Sequence, residues 1–396
     1  MKRAAQAIEA ALSELEAAQL RRRRTTVEGF AEPGNRVLAI AGGRTLIDFS
    51  SNDYLGLARH PALAAAMAKC AARTGAGSGA SHLITGHGAE HDRLEEELAA
   101  FTRRERALLF STGYMANLAV MTALAGRGER VLLDRLCHAS LIDGARLSGA
   151  TLVRYAHADA LEAARLLDAD AAHTALLATD GVFSMDGDLA PLPELTRCIR
   201  RRDLWLLVDD AHGLGVVGAD GGGVLEHFGL GSDAVPILVG TLGKAFGSFG
   251  AFVAGSAELI EFLVQKARTY VYTTALPQPV AAATRAALTL VRTESWRRER
   301  LRTLVGRFRV AAHALGVPLA NSTTPIQPVL LGSAAAALAA QRELASAGYW
   351  VVAIRPPSVP AGSARLRVTL SAAHTEAEID GLAEQLGRAC GSARSA

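Results

Sequence analysis

The stretch from Leu204 to Gly250 constrains this chain more than any other. It opens on a dense apolar run, Leu204-Trp205-Leu206-Leu207-Val208, which reads as a strand buried on both faces. That run ends on Asp209-Asp210-Ala211-His212-Gly213. A second apolar run, Ile237-Leu238-Val239, feeds Gly240-Thr241-Leu242-Gly243-Lys244-Ala245-Phe246-Gly247. In open α/β sheets, ligands bind outside the carboxyl ends of the strands. An acid, an imidazole and a glycine-flanked lysine are therefore expected where chemistry happens.

These residue types belong together chemically. A lysine amine can form a Schiff base, the bond from which pyridoxal phosphate catalysis starts. The pyridine nitrogen of that cofactor must stay protonated to draw electrons, so an anion is needed beneath it. Asp209 suits that role, since a carboxylate beside a cation favours the charged form of both. Glycines around Lys244 let the backbone pass close to a bulky group, and Thr241 offers a hydroxyl to a phosphate. A helix cap at Asp209 and a solvated turn at Lys244 would explain each feature singly, but not the pair. Two other motifs fail here. The P-loop pattern needs Gly where Leu238 stands and Ser or Thr where Ala245 stands. Gly213-Leu-Gly215-Val-Val-Gly218 spells a dinucleotide fingerprint, but Asp209 to His212 intervene and a glycine run follows, so it reads as a loop.

A chain of 396 residues predicts two lobes of different size. The net charge of +3 gives no general case for nucleic-acid binding. Cys70, Cys137, Cys198 and Cys390 are scattered, as in reduced thiols of a cytoplasmic protein, with no zinc spacing. Glu9, Glu14 and Glu16 interrupt the Ala/Leu-rich start, so it is no secretory h-region, and no apolar run reaches membrane-spanning length.

Taken in order, residues 3–20 read as a helix ending at Arg21-Arg22-Arg23-Arg24. Physics alone favours a solvated, dipole-matched helix end there, with a grip on a polyanionic substrate as the alternative. Val37 to Ile40 and Thr45 to Phe49 predict a hairpin around Gly42-Gly43, and Pro61 to Ala72 a helix. Thr74 to Gly88 is a glycine-rich loop. Just beyond, His87-Gly-Ala-Glu90-His91 spells a zinc pattern, but Gly88 argues against the helix it demands, and no metal is expected. Ser111-Thr112-Gly113-Tyr114 joins a strand to a helix, a ready phosphate site. His138 follows the strand Arg130 to Asp134, and Ser184 follows the strand His173 to Thr179, both at the edge that carries Lys244. Pro277 is expected to start a helix leaving the first domain. Short strands follow at Ile326 to Leu330, Tyr349 to Ile354 and Arg365 to Leu370, with Arg355 held before two prolines as a carboxylate clamp.

These segments, in this order, resemble the α-oxoamine synthases, a pyridoxal-phosphate family of fold type I. The resemblance rests on Ser51-Asn-Asp-Tyr-Leu-Gly-Leu57, Gly181-Val-Phe-Ser-Met-Asp-Gly-Asp188, Val208-Asp-Asp-Ala-His-Gly213 and Thr241-Leu-Gly-Lys-Ala-Phe-Gly247. It covers nearly the whole chain. It implies a large domain with a mostly parallel seven-stranded sheet (residues 49–285), a smaller C-terminal α+β domain (286–396), and an N-terminal helix and hairpin (1–48). Ala353-Ile-Arg-Pro-Pro-Ser-Val-Pro-Ala-Gly362 points to the member condensing L-alanine with a pimeloyl thioester, on coenzyme A or acyl-carrier protein.

Carried over residue by residue, the resemblance makes Lys244 the Schiff-base lysine and general base. Asp209 would pair with the pyridine nitrogen, His138 would stack on the ring, and His212 and Ser184 would reach its phenolic oxygen. Gly113, Tyr114 and Thr241 would bind near the phosphate, with Thr273 and Thr274 added from a second subunit of a homodimer. Asn52 and Arg355 would orient the amino-acid carboxylate. Arg21 matches the family's substrate arginine, and Ser358 stands where the family commonly has Thr. The rivals are a sister condensation with glycine or serine, an aminotransferase, and a non-catalytic scaffold subunit. The last usually lacks the lysine that this chain keeps.

Overall fold

The computed structural model describes residues 2–30, 38–170, 173–200, 202 and 204–395. The chain divides into two compact units, one of residues 52–184 and 188–299, the other of residues 1–51, 185–187 and 300–396. The N-terminal segment, expected to stand apart, thus groups with the C-terminal residues, and the larger unit runs on past 285. Hydrogen bonding gives the reason. Strand Arg44–Asp48 pairs in parallel with Tyr349–Trp350, Ile47 opposite Tyr349. Helix Gln278–Thr293, expected to leave the first domain, stays in the larger unit and packs along helix Pro61–Thr74.

The larger unit is built on seven strands: β1 (Arg106–Phe110), β2 (Arg130–Asp134), β3 (Thr151–Tyr155), β4 (Thr174–Asp180), β5 (Trp205–Asp209), β6 (Ile237–Thr241) and β7 (Ala251–Gly255). Their order is β1-β7-β6-β5-β4-β2-β3. Only β7 runs antiparallel to its neighbours. The opening apolar run is β5, in the middle of the sheet, with Leu206, Leu207 and Val208 fully buried. Covered faces explain its unbroken apolar sequence. Register then sets the chemistry: Asp180 at the end of β4 lies opposite Asp209 at the end of β5, and Asp209 opposite Val239 on β6. The carboxyl ends of β2, β4, β5 and β6 open on one edge. Helix Gly113–Leu124, apolar nearly all round, packs on helix Ala139–Ser148. Gly144 permits this, since a Cβ there would sit 2.8 Å from Met121 Cβ.

In the smaller unit, Gly29–Phe30, Leu38–Ala41, Arg44–Asp48 and Tyr349–Trp350 form one sheet. The expected hairpin turns at Gly42-Gly43, at φ of 57° and 68°, whereas Val37 lies outside the described residues. The single strand expected over Tyr349–Ile354 is split at buried Val351. Its second half, Val352–Ile354, pairs instead with Ala364–Thr369, next to Ile326–Gly332. No helix among the described residues is long and apolar enough to cross a membrane.

Candidate active site

Neighbouring residues on a strand point to opposite faces, and this separates the two acids that end the β5 run. Asp210 is fully buried. Its Oδ2 accepts from the Val224 N–H at 2.8 Å, and its carboxyl is wedged between glycines. A Cβ at Gly213 would lie 2.0 Å from its Oδ1, and one at Gly223 1.8 Å from its Oδ2. Burial pushes this carboxyl well above the usual range. Asp209 instead lines a cavity. Its Oδ2 accepts from Asn117 Nδ2 at 2.6 Å and its Oδ1 from the Ala211 N–H at 3.1 Å.

Lys244 follows β6 in a tight loop closed by Gly247 N–H to Lys244 O at 2.8 Å and Ser248 N–H to Leu242 O at 2.9 Å. Gly247 takes φ 61°, and a Cβ there would lie 2.3 Å from Ala58 N, so this loop lies directly on the turn after Asn52. Lys244 Nζ is 2.8 Å from His212 Nε2. His212 Nδ1 is 2.6 Å from the Tyr54 hydroxyl, which also reaches Asn52 Oδ1 at 3.2 Å.

His138 caps helix Ala139–Ser148 and comes from the end of β2. Its Nδ1 is 2.7 Å from Ser140 Oγ, the same oxygen that accepts from Asn117 Nδ2 at 2.8 Å. Its backbone N–H donates to Asp180 Oδ1 at 3.0 Å. Burial holds the imidazole below its ordinary pKa, with Asp209 opposing and Lys244 reinforcing that shift. Asp180 is fully buried beside Asp209, and both effects push its carboxyl well up.

At the start of helix Gly113–Leu124, Thr112 Oγ1 accepts from the Met115 N–H at 3.2 Å. The first-turn N–H groups of Gly113 and Tyr114 have no intrahelical acceptor, and they carry the positive end of the helix dipole. A Cβ at Gly113 would sit 2.7 Å from Thr241 Cγ2, so these residues share one corner.

Gly113, Tyr114, His138, Ser184, Asp209, His212, Thr241 and Lys244 line a single cavity of about 190 Å³. The eight residues named from the chain's own sequence for the cofactor are thus in one place, whereas Thr273 and Thr274, expected from a second subunit, do not line it. The sequence reading missed Asn117, Ser140, Asp180 and Tyr54. Asn117 left a signal: a buried amide within an Ala/Met/Leu helix needs a hydrogen-bond partner.

A second cavity, of about 400 Å³, lies within the smaller unit and is lined by Arg22, Arg23, Gln341, Trp350, Arg355 and Ser358, among others. Arg22 Nη2 donates to Ser358 Oγ at 2.9 Å, and the Arg355 guanidinium donates to the Gln19 carbonyl. Arg355 and Ser358 are thus brought together. Arg21 is turned to Glu16, at 3.3 Å, and Arg22 occupies the lining in its stead. The His87–His91 segment is hydrogen-bonded into its surroundings, and its two imidazoles gather with His82, their ligand nitrogens within 4.8 Å of one another. His91 Nδ1 accepts from the Gly88 N–H at 2.9 Å, its Nε2 is bonded to the Leu276 carbonyl, and Glu90 pairs with Arg285 at 2.8 Å.

The donor set of the larger unit's cavity fits pyridoxal phosphate. It has an amine for the aldehyde, a fixed carboxylate for the pyridinium, an imidazole suited to stacking, and a helix N-terminus with a hydroxyl for the phosphate.

Comparison with known proteins gives the same frame. The family described as aminotransferase class I and II matches residues 44–386. An 8-amino-7-oxononanoate synthase of Methylococcus capsulatus is 60% identical over 379 residues, 96% of this chain and 97% of that protein. A solved 8-amino-7-oxononanoate synthase from Francisella tularensis superposes with a TM-score of 0.77 at 32% identity, covering 87% of this chain and 97% of the other. A variant serine palmitoyltransferase from S. paucimobilis with a bound PLP–myriocin aldimine gives 0.92 at 29% identity, covering 98% of each chain. The chain therefore belongs to the class I and II aminotransferase family and, within it, to the 8-amino-7-oxononanoate synthases.

Proposed function

We propose that this chain condenses L-alanine with a pimeloyl thioester, carried on coenzyme A or acyl-carrier protein, to give 8-amino-7-oxononanoate, CO2 and the free thiol, in biotin biosynthesis. The observation that carries the reading is the meeting of Lys244 and Asp209 on one cavity at the carboxyl edge of the sheet. Pyridoxal phosphate, when bound, supplies the electron sink that acidifies the α-carbon of an amino acid and eases decarboxylation of a β-keto acid.

The chain's own residues do the rest. Lys244 Nζ holds the cofactor, and after displacement by the substrate amine it takes the α-proton of alanine. That proton would leave on the thiol, and the α-carbon freed by loss of CO2 would take one further proton from solvent, which balances the overall reaction. Asp209 keeps the pyridine nitrogen protonated. Because Asn117 and Ala211 already fix its two oxygens, it needs little reorganisation when charge develops above it. His138, held by Ser140 on its side chain and Asp180 on its backbone, would stack on the ring of the bound cofactor. His212 and Ser184 would serve the phenolic oxygen of the cofactor, and Gly113, Tyr114 and Thr241 its phosphate. Asn52 and Arg355 serve the amino-acid carboxylate, and Arg22 and Ser358 supply donors for the acyl donor. A cytoplasmic homodimer, with Thr273 and Thr274 lent by the second copy, belongs to the same reading.

Lys244→Ala tests the assignment. It removes the amine and leaves the backbone, so turnover should be lost while the melting curve stays near that of the parent. Substantial residual turnover would overturn it. The likeness to serine palmitoyltransferase supports one second reading, condensation of serine with a long acyl thioester. Product analysis with alanine against serine separates the two.

A further inference from the structure

Tyr54 is fully buried, yet its hydroxyl reaches two polar side chains, His212 Nδ1 at 2.6 Å and Asn52 Oδ1 at 3.2 Å. Its place is rigid. Asp53, the residue before it, accepts from the Leu57 N–H at 2.8 Å and the Ala58 N–H at 3.0 Å, and Arg297 donates to the Leu55 carbonyl at 3.0 Å. On the far side of His212 stands Lys244, Nζ to Nε2 at 2.8 Å. The order Asn52, Tyr54, His212, Lys244 is therefore a continuous hydrogen-bonded row.

A phenol has one hydrogen to give, and a neutral imidazole has one nitrogen that donates and one that accepts. These counts allow two arrangements. When Lys244 is an ammonium it can only donate, so His212 Nε2 must accept. The imidazole proton then sits on Nδ1 and points at the Tyr54 oxygen, and the Tyr54 hydrogen points at Asn52 Oδ1. When Lys244 no longer donates, Nε2 can carry the proton and Nδ1 becomes the acceptor. The Tyr54 hydrogen then swings to Nδ1. The two arrangements differ by the one proton that leaves Lys244.

We propose that Tyr54 is a positioning residue that sets the tautomer of His212, so that the imidazole accepts from Lys244 in one state and donates from Nε2 in the other. The proposal rests on the reading of Lys244 as the amine that holds the cofactor. It gives Tyr54 a task that its burial alone does not. A donor at Nε2, which a phenolic oxygen of the cofactor would need, exists in neutral His212 only while Nδ1 is receiving a hydrogen, and the Tyr54 hydroxyl is placed to supply it. His138, Asp180 and Asp210 interact electrostatically with Lys244, and Asp209 lines the same cavity. Each is fixed by its own hydrogen bonds, and none of those bonds runs through Tyr54.

The test uses the full-length chain labelled with 15N-histidine, before and after adding pyridoxal phosphate, with His212 assigned by its loss in His212→Asn. In the parent, His212 should be protonated on Nδ1 without the cofactor and on Nε2 with it. In Tyr54→Phe, which keeps the ring and removes the hydroxyl, that change should be absent. The same tautomers in Tyr54→Phe as in the parent would overturn the proposal. This readout does not depend on turnover, so it stands apart from the Lys244→Ala test. Kinetics give a second arm. Tyr54→Phe should lower kcat about tenfold, and the double variant with His212→Asn should be no slower than His212→Asn alone. Losses that multiply would show Tyr54 acting independently of His212, against the proposal.

Discussion

Asn117 gives the account its sharpest quantitative consequence. It is 1% exposed, and its Nδ2 donates both to Asp209 Oδ2 at 2.6 Å and to Ser140 Oγ at 2.8 Å. One amide thus ties the Asp209 carboxylate to the hydroxyl that holds His138. Asn117→Ala removes one of the two donors that fix Asp209 and leaves the Ser140 hydroxyl without it. A hydrogen bond to a charged group is worth about 1.5–3 kcal/mol. If Asp209 uses that bond to stay ionised and aligned, the loss appears in cofactor binding, at about 1.4 kcal/mol per tenfold. The dissociation constant for pyridoxal phosphate should therefore rise by about 10- to 100-fold. Fluorescence titration of the cofactor-free protein measures it directly. Asn117→Asp sharpens the test, since it places a second acid against Asp209 and should bind the cofactor more weakly still at neutral pH. The reasoning is refuted if Asn117→Ala binds pyridoxal phosphate as tightly as the parent while remaining folded.

Three further outcomes follow from other contacts. His157 sits 3.1 Å from Asp134 Oδ1 and 2.9 Å from Asp188 Oδ2. Burial works against its charge, but the two carboxylates outweigh this and lift its pKa from 6.5 to about 10. A raised cation pKa stabilises fully below pH 6.5 and is lost as pH rises through 10, on the order of 4 kcal/mol at pH 7. The melting temperature should fall between pH 8 and 10.5, and His157→Gln should flatten that fall; an unchanged slope would count against it. Arg22 lines the smaller unit's cavity while Arg21 pairs with Glu16. Arg22→Ala should therefore raise KM for the acyl thioester about tenfold and Arg21→Ala much less, and the reverse order would restore Arg21. Gly213→Ala drives a Cβ to 2.0 Å from Asp210 Oδ1 and should destabilise by about 1–3 kcal/mol in a denaturant titration.

Much of the site was legible because the chemistry lies on short runs at strand ends. Lys244, Asp209, His138 and Ser184 each follow an apolar run, and the parallel sheet brings such ends to one edge whatever their separation in the chain. What stayed hidden depends on packing across helices. Asn117 reaches Asp209 only because helix Gly113–Leu124 lies over the sheet. Tyr54 reaches His212 only because Gly247 lets two loops touch. Strand β3 was missed because it is an edge, half-exposed and without an apolar run. The N-terminal segment was misplaced because its partner, Tyr349–Trp350, is only two residues long and 300 residues away. Arg21 was carried over from the resemblance, since four consecutive arginines have no pattern of their own to say which one a substrate meets; Arg22 and Arg23 line the smaller unit's cavity.

The most direct measurement incubates the purified protein with pyridoxal phosphate, pimeloyl-CoA and L-alanine labelled with 13C at the carboxyl carbon. Product mass and labelled CO2 are then followed together. The account predicts one labelled CO2 and one free thiol for each 8-amino-7-oxononanoate formed, with glycine and serine much slower. Release of thiol without labelled CO2, or faster reaction with glycine or serine, would contradict it.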